Sequence, residues 1–330
     1  MDRIRVGILG AARIVPRGIL RPSRAVEDVE IVAIASRSER VAATFAAQHS
    51  IPRWYAGYDS LLNDREVDAV YIALPTALHF EWAINALTHG KHVLCEKPLA
   101  VNADQAKEMA QEARRRGLIL AEGMHTRYRQ VIRRQRDIVR SGELGKLLEI
   151  ESYYATPYIP MKKNDFRLDI NLGGGAALDL GCYAISDLRF VSDAELEIVS
   201  CSQKSIRPGV DRWMKAHFRL SSGGNATVFC GFRGFYFHRT GVKVIGEYGS
   251  VCKTGRNGLS VRIRGRTRKE VFPKQSTFLL QLDAFAKAIA GKESELLSPD
   301  DSVATLRVID AMYLKAGLLP RGTGLPSRPG

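Results

Sequence analysis

The stretch Gly10-Ala11-Ala12-Arg13-Ile14-Val15 follows a short apolar run and has the makings of a phosphate cradle. A glycine that turns the backbone, two alanines with only a Cβ, and a helix start beyond them leave backbone N–H groups facing a pyrophosphate. It is a worn Gly-x-Gly-x-x-Gly, with Ala12 and Val15 in place of the second and third glycines. With a strand before it and a helix after it, the turn reads as a dinucleotide site lined by Gly10, Ala11, Ala12, Arg13 and Ile14.

The end of the next apolar run, residues 31–35, decides which dinucleotide. An Asp or Glu there would bind a ribose 2′-hydroxyl and repel a 2′-phosphate. The chain instead has Ser36-Arg37, with Arg40 one turn on. A hydroxyl donor and guanidinium groups that grip phosphate through two parallel hydrogen bonds suit NADP(H). The plainer reading of Arg37 is a solvated residue at a helix start.

These groups need a frame. Residues 4–9, 31–35, 69–74, 92–95 and 118–121 read as buried strands, because each is a β-branched or apolar run ended by a turn residue or charge. Between them come helix signals at 40–48, at 76–87 with Thr76 as N-cap, and at 102–117 with Asn102 and Gln105 as a capping box. The alternation predicts βαβ units and a doubly wound parallel sheet. Ligands lie beyond the carboxyl ends of such strands. That selects the Gly10 turn, Ser36-Arg37, Leu74-Pro75-Thr76 and Glu96-Lys97-Pro98.

Beyond residue 122 the chain changes character. Of the formal charge of +14, residues 1–122 carry +1 and residues 123–330 carry +13, and segments 127–140 and 253–274 hold +12 of it. Residues 196–201, 213–220, 226–232, 242–246 and 260–263 read as strands, with a hairpin turn at Gly223-Gly224-Asn225. Helices are expected near 177–190, 277–290 and 299–316, and residues 320–330 read as a loose tail. The division predicted is a cofactor domain over 1–122 and a substrate-binding and oligomerisation domain over 123–330. Arg262, Arg264, Arg266 and Arg268 alternate with other residues, so one strand there would put all four on one face. Arg129, Arg133, Arg136 and Arg140 stripe a helix as a wet basic side.

Five cysteines without a Cys-x-x-Cys pair indicate neither zinc nor a disulfide framework. No stretch approaches 18 apolar residues, and the N-terminus lacks a secretory pattern, so a cytoplasmic protein without metal or membrane is expected.

Gly10-Ala-Ala-Arg-Ile14, Pro75-Thr-Ala-Leu-His79, Val93-Leu-Cys-Glu-Lys-Pro98, Ala121-Glu122-Gly123 and Gly173-Gly-Gly-Ala-Ala-Leu-Asp179-Leu-Gly-Cys-Tyr183 resemble, in order and spacing, the Gfo/Idh/MocA oxidoreductases. The resemblance covers nearly the whole chain. It implies a Rossmann domain, then an α+β domain with a mixed, largely antiparallel open sheet, and an active site in the cleft between them. It also implies Lys97, Asp179 and Tyr183 as the catalytic group. Leu74, Pro75, Thr76, His79, Glu96 and Lys97 join the cofactor contacts. Tyr183 where many members have His, together with Ser36-Arg37, is similar to the NADP-using branch. Homodimers or homotetramers are implied.

Chemistry supports the roles. A ketone reduction needs a hydride and a proton; Tyr ionises near 10, so an adjacent ammonium helps it trade protons at neutral pH. Lys97 supplies that charge and a hydrogen bond to a developing alkoxide. Asp179, four residues before Tyr183, falls on the same helical face and orients substrate hydroxyls or the lysine. Taken alone, Lys97 also reads as a solvated loop residue, Tyr183 as a half-buried aromatic, Asp179 as an N-cap, and His79 as helix packing instead of a nicotinamide contact.

Arg167 and Tyr154 are expected at the substrate, with Lys162, Lys163, Asp165 and Phe166 on the rim and Tyr153, Tyr158 and Tyr236 as further walls. A sugar, a nucleotide-linked sugar or a cyclic polyol suits such a lining. The readings within the family are a ketoreductase, an aldose 1-dehydrogenase or a trans-dihydrodiol dehydrogenase. A non-catalytic NADP-binding regulator is the rival of another class, and no specific nucleic acid is expected despite the basic segments.

Overall fold

The computed structural model describes residues 3–156, 165–232 and 240–323. They form two compact units: residues 1–100, 104–125 and 276–303 in the first, and 101–103, 126–275 and 304–330 in the second. The single cut after residue 122 is thus replaced by an interleaved division. The reason is packing: Leu282 and Phe285 are buried in the first unit's core. Burial of side chains of that size contributes about 1.5–3 kcal/mol each.

The first unit holds β1 (Ile4–Leu9), β2 (Val29–Ser36), β3 (Arg53–Ala56), β4 (Ala69–Ile72), β5 (His92–Cys95) and β6 (Leu120–Glu122). All pair in parallel, in the order β3-β2-β1-β4-β5-β6. The order reverses between β1 and β4, which is where doubly wound sheets open a crevice for a ligand. Strand β4 is wholly buried, as a sheet covered on both faces requires.

The covering helices are α1 (Arg21–Ser23), α2 (Glu39–His49), α3 (Tyr58–Leu62), α4 (His79–Thr88) and α5 (Ala103–Arg116). A π-turn over Pro16–Leu20 leads straight into α1. Ser38 caps α2 by accepting a hydrogen bond from the Val41 amide. Thr76 is not the N-cap expected of it. It begins a 3-10 turn, Thr76–Leu78, itself preceded by Pro75, and its side chain caps neither that turn nor α4.

The second unit opens with α6 (Gln130–Arg140) and an eight-stranded sheet: β7 (Leu147–Thr156), β8 (Leu196–Arg207), β9 (Val210–Leu220), β10 (Asn225–Phe232), β11 (Thr240–Gly246), β12 (Gly249–Thr254), β13 (Gly258–Ile263) and β14 (Arg266–Val271). The order is β14-β13-β12-β11-β7-β10-β9-β8, antiparallel except for the β7–β10 pair. A π-turn over Ala177–Gly181 continues into α7 (Cys182–Ser192), which packs on the buried face of β7 and β11. Helix α8 (Thr277–Ile289) belongs to the first unit, and α9 (Pro299–Lys315) runs from the first into the second.

The four arginines 262–268 do not share a face. Arg264 and Gly265 turn the chain at φ +47° and +81°, so β13 and β14 form a hairpin. Register then sets Arg262 across from Thr267, while Arg266 faces Ile263 and Arg268 faces Val261. Directly paired residues share a face, so Arg262 lies opposite Arg266 and Arg268. No helix among the described residues is long and apolar enough to cross a membrane.

Candidate functional site

In the first unit, Gly10 closes β1 with φ +101°, and a Cβ there would stand 2.6 Å from the Ala73 carbonyl oxygen. No other residue fits. Ala11 and Ala12 lie partly buried against the core, Val15 is fully buried, and Arg13 is exposed. The close helix approach that a third glycine would permit falls instead at Gly18, whose Cβ would meet the Tyr71 hydroxyl at 2.4 Å. The turn therefore keeps a cradle of small residues at a helix start, a fit for a pyrophosphate.

Ser36 ends β2 half-exposed, and Arg37 and Arg40 are exposed beside it, with no carboxylate at the strand end. Burial raises the Tyr58 phenol above its usual range, and the Arg37 guanidinium at its hydroxyl opposes that rise. A 2′-phosphate placed there would find a hydroxyl and two cations.

The loop after β5 is pinned at three points. The Tyr71 hydroxyl donates to Glu96 Oε1. His79, buried, sets Nδ1 2.8 Å from the Pro98 carbonyl and Nε2 2.9 Å from that of Leu74. Burial lowers its pKa against the opposite pull of the two carbonyls; the neutral ring donates its one N–H to one of them and packs between the β4 and β5 loops. Glu122, buried at the end of β6, accepts from the Leu99 amide at 2.9 Å and from Ser302 Oγ at 2.7 Å. Lys97, with a cis bond to Pro98, is held half-exposed between these anchors.

In the second unit the Gly173-Gly174-Gly175 turn leads to the π-turn. Buried Asp211 accepts from the Ala177 amide at 2.7 Å, from Arg321 at 2.9 Å and from Tyr313 at 3.1 Å, while Arg321 Nε donates to the Gly174 carbonyl at 3.2 Å. This clamp fixes the turn bearing Asp179. Asp179 lies within the turn and is no N-cap; its Oδ2 accepts from Arg167 Nε at 2.8 Å. Arg167 also bonds Asp165 and lies over Phe166, and though burial disfavours its charge, Asp179 keeps it firmly protonated. Tyr183 stacks on buried Tyr154, ring centroids 4.7 Å apart.

The structure thus gathers Arg167 with Asp179, Tyr154 with Tyr183, and the residues expected at the cofactor at the ends of β1, β2, β4 and β5. Tyr153 does not join Tyr154, since neighbouring strand residues point to opposite faces. Tyr158, Lys162, Lys163 and Tyr236 lie outside the described residues. Glu122, Tyr71 and Gly18 carry no sequence signal beyond the Ala-Glu-Gly run. The basic helix is not a free wet stripe: Arg134 pairs with Glu270, Arg136 and Arg140 with Asp193, and Arg127 is buried on Ser186 and Phe190. Among the described residues no three His, Cys, Asp or Glu side chains gather as a metal site requires.

A parallel sheet with a glycine-turned cradle at its switch point defines the dinucleotide-binding class of α/β domain. Residues 4–124 match the oxidoreductase family with an NAD-binding Rossmann fold, and residues 132–252 match the GFO/IDH/MocA C-terminal domain. The chain is 32% identical to D-xylose 1-dehydrogenase (NADP(+)) 2 of Haloferax volcanii, over 94% of this chain and 96% of that one. It is 32% identical, over 94% of each, to a dTDP-3,4-didehydro-2,6-dideoxy-alpha-D-glucose 3-reductase of Actinomadura kijaniata. A solved 3-ketoreductase from Actinomadura kijaniata, in complex with NADP and TDP-benzene, superposes with a TM-score of 0.86 at 29% identity, covering 96% of this chain and 98% of that one. The chain belongs to the Gfo/Idh/MocA family of oxidoreductases.

Proposed function

We propose that the protein is an NADP(H)-dependent oxidoreductase acting on a carbonyl or secondary alcohol of a sugar or nucleotide-linked sugar, with Tyr183 as acid and base and Lys97 as its partner. The observation that carries it is the three-point fixing of the loop around Lys97, at Glu96, Pro98 and Leu99. A lysine so anchored costs little to hold in one place during the reaction. Ser36, Arg37 and Arg40 support the 2′-phosphate, and the xylose dehydrogenase and ketoreductase relatives support the substrate class.

When bound, NADP(H) supplies or accepts the hydride. The Tyr183 hydroxyl gives its proton to the carbonyl oxygen in reduction, leaving a phenolate, and in oxidation that phenolate takes the proton of the alcohol. The Lys97 ammonium hydrogen-bonds the oxygen as negative charge grows on it. Asp179 and Arg167 hold neighbouring hydroxyls. We further propose a homodimer or homotetramer formed through the outer sheet face, where Trp213 stacks near Phe229 and Tyr153 pairs in register with it.

The test is NADPH oxidation with keto-sugars and diketones, and NADP+ reduction with aldoses, cyclic diols and nucleotide sugars. Tyr183→Phe and Lys97→Ala should each lose about 10²–10⁴-fold in turnover while still binding NADPH. Near wild-type turnover by either variant, or no turnover across the panel, overturns the reading.

A further inference from the structure

Arg167 and Asp179 are joined by backbone as well as by their ion pair. The Gly175 amide donates to the Arg167 carbonyl at 3.1 Å, the Gly174 amide to the Asp169 carbonyl at 2.8 Å, and the Asp179 amide to the Gly175 carbonyl at 3.2 Å. The glycine turn is therefore a bracket that sets how the two residues face each other. Its fit is close. A Cβ on Gly174 would stand 2.7 Å from the carbonyl oxygens of Arg167 and Asp169, and one on Gly175 would stand 2.1 Å from Asp211 Oδ1.

The bracket is held by a residue near the far end of the chain. Residues 320–330 have the prolines and glycines of a loose tail, yet Arg321 is only 3% exposed. Asn102 Nδ2 donates to its carbonyl at 2.8 Å, and Thr323 Oγ1 closes a turn onto the Pro320 carbonyl at 2.7 Å. The guanidinium reaches the bracket twice. Nε donates directly to the Gly174 carbonyl at 3.2 Å, and Nη2 donates to Asp211 Oδ1 at 2.9 Å, whose carboxylate takes the Ala177 amide on its other oxygen. The group is steadied from its flank by the Tyr313 ring, 4.2 Å from centroid to guanidinium carbon, while the Tyr313 hydroxyl donates to Asp211. One planar fork thus grips the turn on both sides of Gly175.

We propose that Arg321 is a positioning residue for the Arg167–Asp179 pair, and through that pair a determinant of which hydroxylated substrates are turned over well. The inference rests on the reading that Arg167 and Asp179 hold substrate hydroxyls. Groups that must meet a substrate work best when their own supports are locked by packing and hydrogen bonds. Arginine suits the task because its rigid fork fixes the distance between the carbonyl it holds and the carboxylate it pairs with. A lysine would balance Asp211, but a single ammonium cannot occupy the Nε and Nη2 positions at once.

The experiment uses Arg321→Lys, which keeps a charge opposite Asp211, and the joint Asp211→Asn, Arg321→Met variant, which leaves no buried charge unpaired; both lack the fork on Gly174. Hydrogen–deuterium exchange of the full-length protein reads the bracket without substrate. The Gly174 and Gly175 amides should exchange faster in both variants, while those of β7 and β10 keep the wild-type rate. Kinetics read the consequence, with the best sugar of the panel and its deoxy analogue lacking the hydroxyl beside the reacting carbon. For the sugar, kcat/KM should fall about 10- to 100-fold, as expected when a remote change misplaces a substrate contact. The deoxy analogue should lose little, and NADPH affinity should not move. In an Arg167→Ala background Arg321→Lys should cost nothing further, because the contact it positions is already gone. Unchanged exchange at Gly174 and Gly175 overturns the inference, and so does an equal fall for the sugar and its deoxy analogue, the mark of a purely structural loss. Wild-type kcat/KM in Arg167→Ala alone instead sinks the pair as a substrate contact, whatever the exchange shows, so the two failures are separate.

Discussion

Glu122 accepts a hydrogen bond from the Leu99 amide at 2.9 Å, two residues past Lys97, and is buried where it does so. Its second oxygen takes the hydroxyl of Ser302. A carboxylate at the end of one strand thus sets the backbone after the neighbouring strand. Glu122→Ala leaves a buried N–H and a buried hydroxyl unpartnered, a cost of about 2–4 kcal/mol. Glu122→Gln keeps one acceptor and gains a donor, so it should cost about 1 kcal/mol. Denaturant unfolding should rank wild type above Gln above Ala, and kcat should fall in the same order; equal stability of the two variants would show that neither bond matters.

Arg37 stands exposed just past the end of β2, where the strand closes on Ser36 and not on a carboxylate. Hydrogen bonds to a charged group contribute about 1.5–3 kcal/mol, so Arg37→Ala should weaken NADPH binding about 10- to 100-fold. NADH carries no 2′-phosphate, and its affinity should not change. Fluorescence titration with both cofactors checks this, and a parallel loss for both would place Arg37 away from the phosphate.

The clamp on the glycine turn is a buried ion pair, with Asp211 and Arg321 both almost fully shielded. Arg321→Met strands the Asp211 carboxylate, whose pKa burial already raises against the pull of Arg321. Removing one partner of a buried pair costs about 3–5 kcal/mol. A joint Asp211→Asn, Arg321→Met variant should recover part of that loss, because no bare charge remains. If the double variant is as unstable as the sum of the two singles, the residues are not coupled.

The sheet of the first unit was legible because each apolar run stops at a turn residue, as at Gly10, Ser36 and Pro75, or at a charge, as at Glu96 and Glu122. The cofactor loops followed from those stops. Strand β3 escaped because Arg53–Ala56 is polar on alternate residues and only four long. Strand β7, Leu147–Thr156, carries the central pairing of the second sheet, yet Glu149 and Glu151 interrupt its apolar residues. At Arg262–Arg268 the alternation was real, but a turn at Arg264-Gly265 was hidden inside it. Arg140 shows the general limit. Its partner Asp193 is 53 residues further along the chain, so its type and spacing matched a solvated stripe, and only the fold reveals the ion pair.

Lys253 offers a pH test of the same region. Its ammonium bonds the Thr240 carbonyl at 2.9 Å and hydroxyl at 3.0 Å. Burial, aided by the repulsion of Arg129, pushes its pKa down to about 8, against about 10.4 for a lysine in an unfolded chain. Between those values the unfolded state binds the proton that the folded state has released, so the lysine makes stability rise with pH across that window. Below pH 8 both states carry the charge, and the folded state bears the full desolvation cost. Lys253→Met has no such proton. Wild type should therefore gain stability relative to Lys253→Met between pH 8 and 10, with a constant difference from pH 6 to 7.5. Denaturation midpoints of both proteins across that range decide it. A difference that stays flat through pH 10 means that Lys253 titrates as a solvated lysine and overturns the expectation.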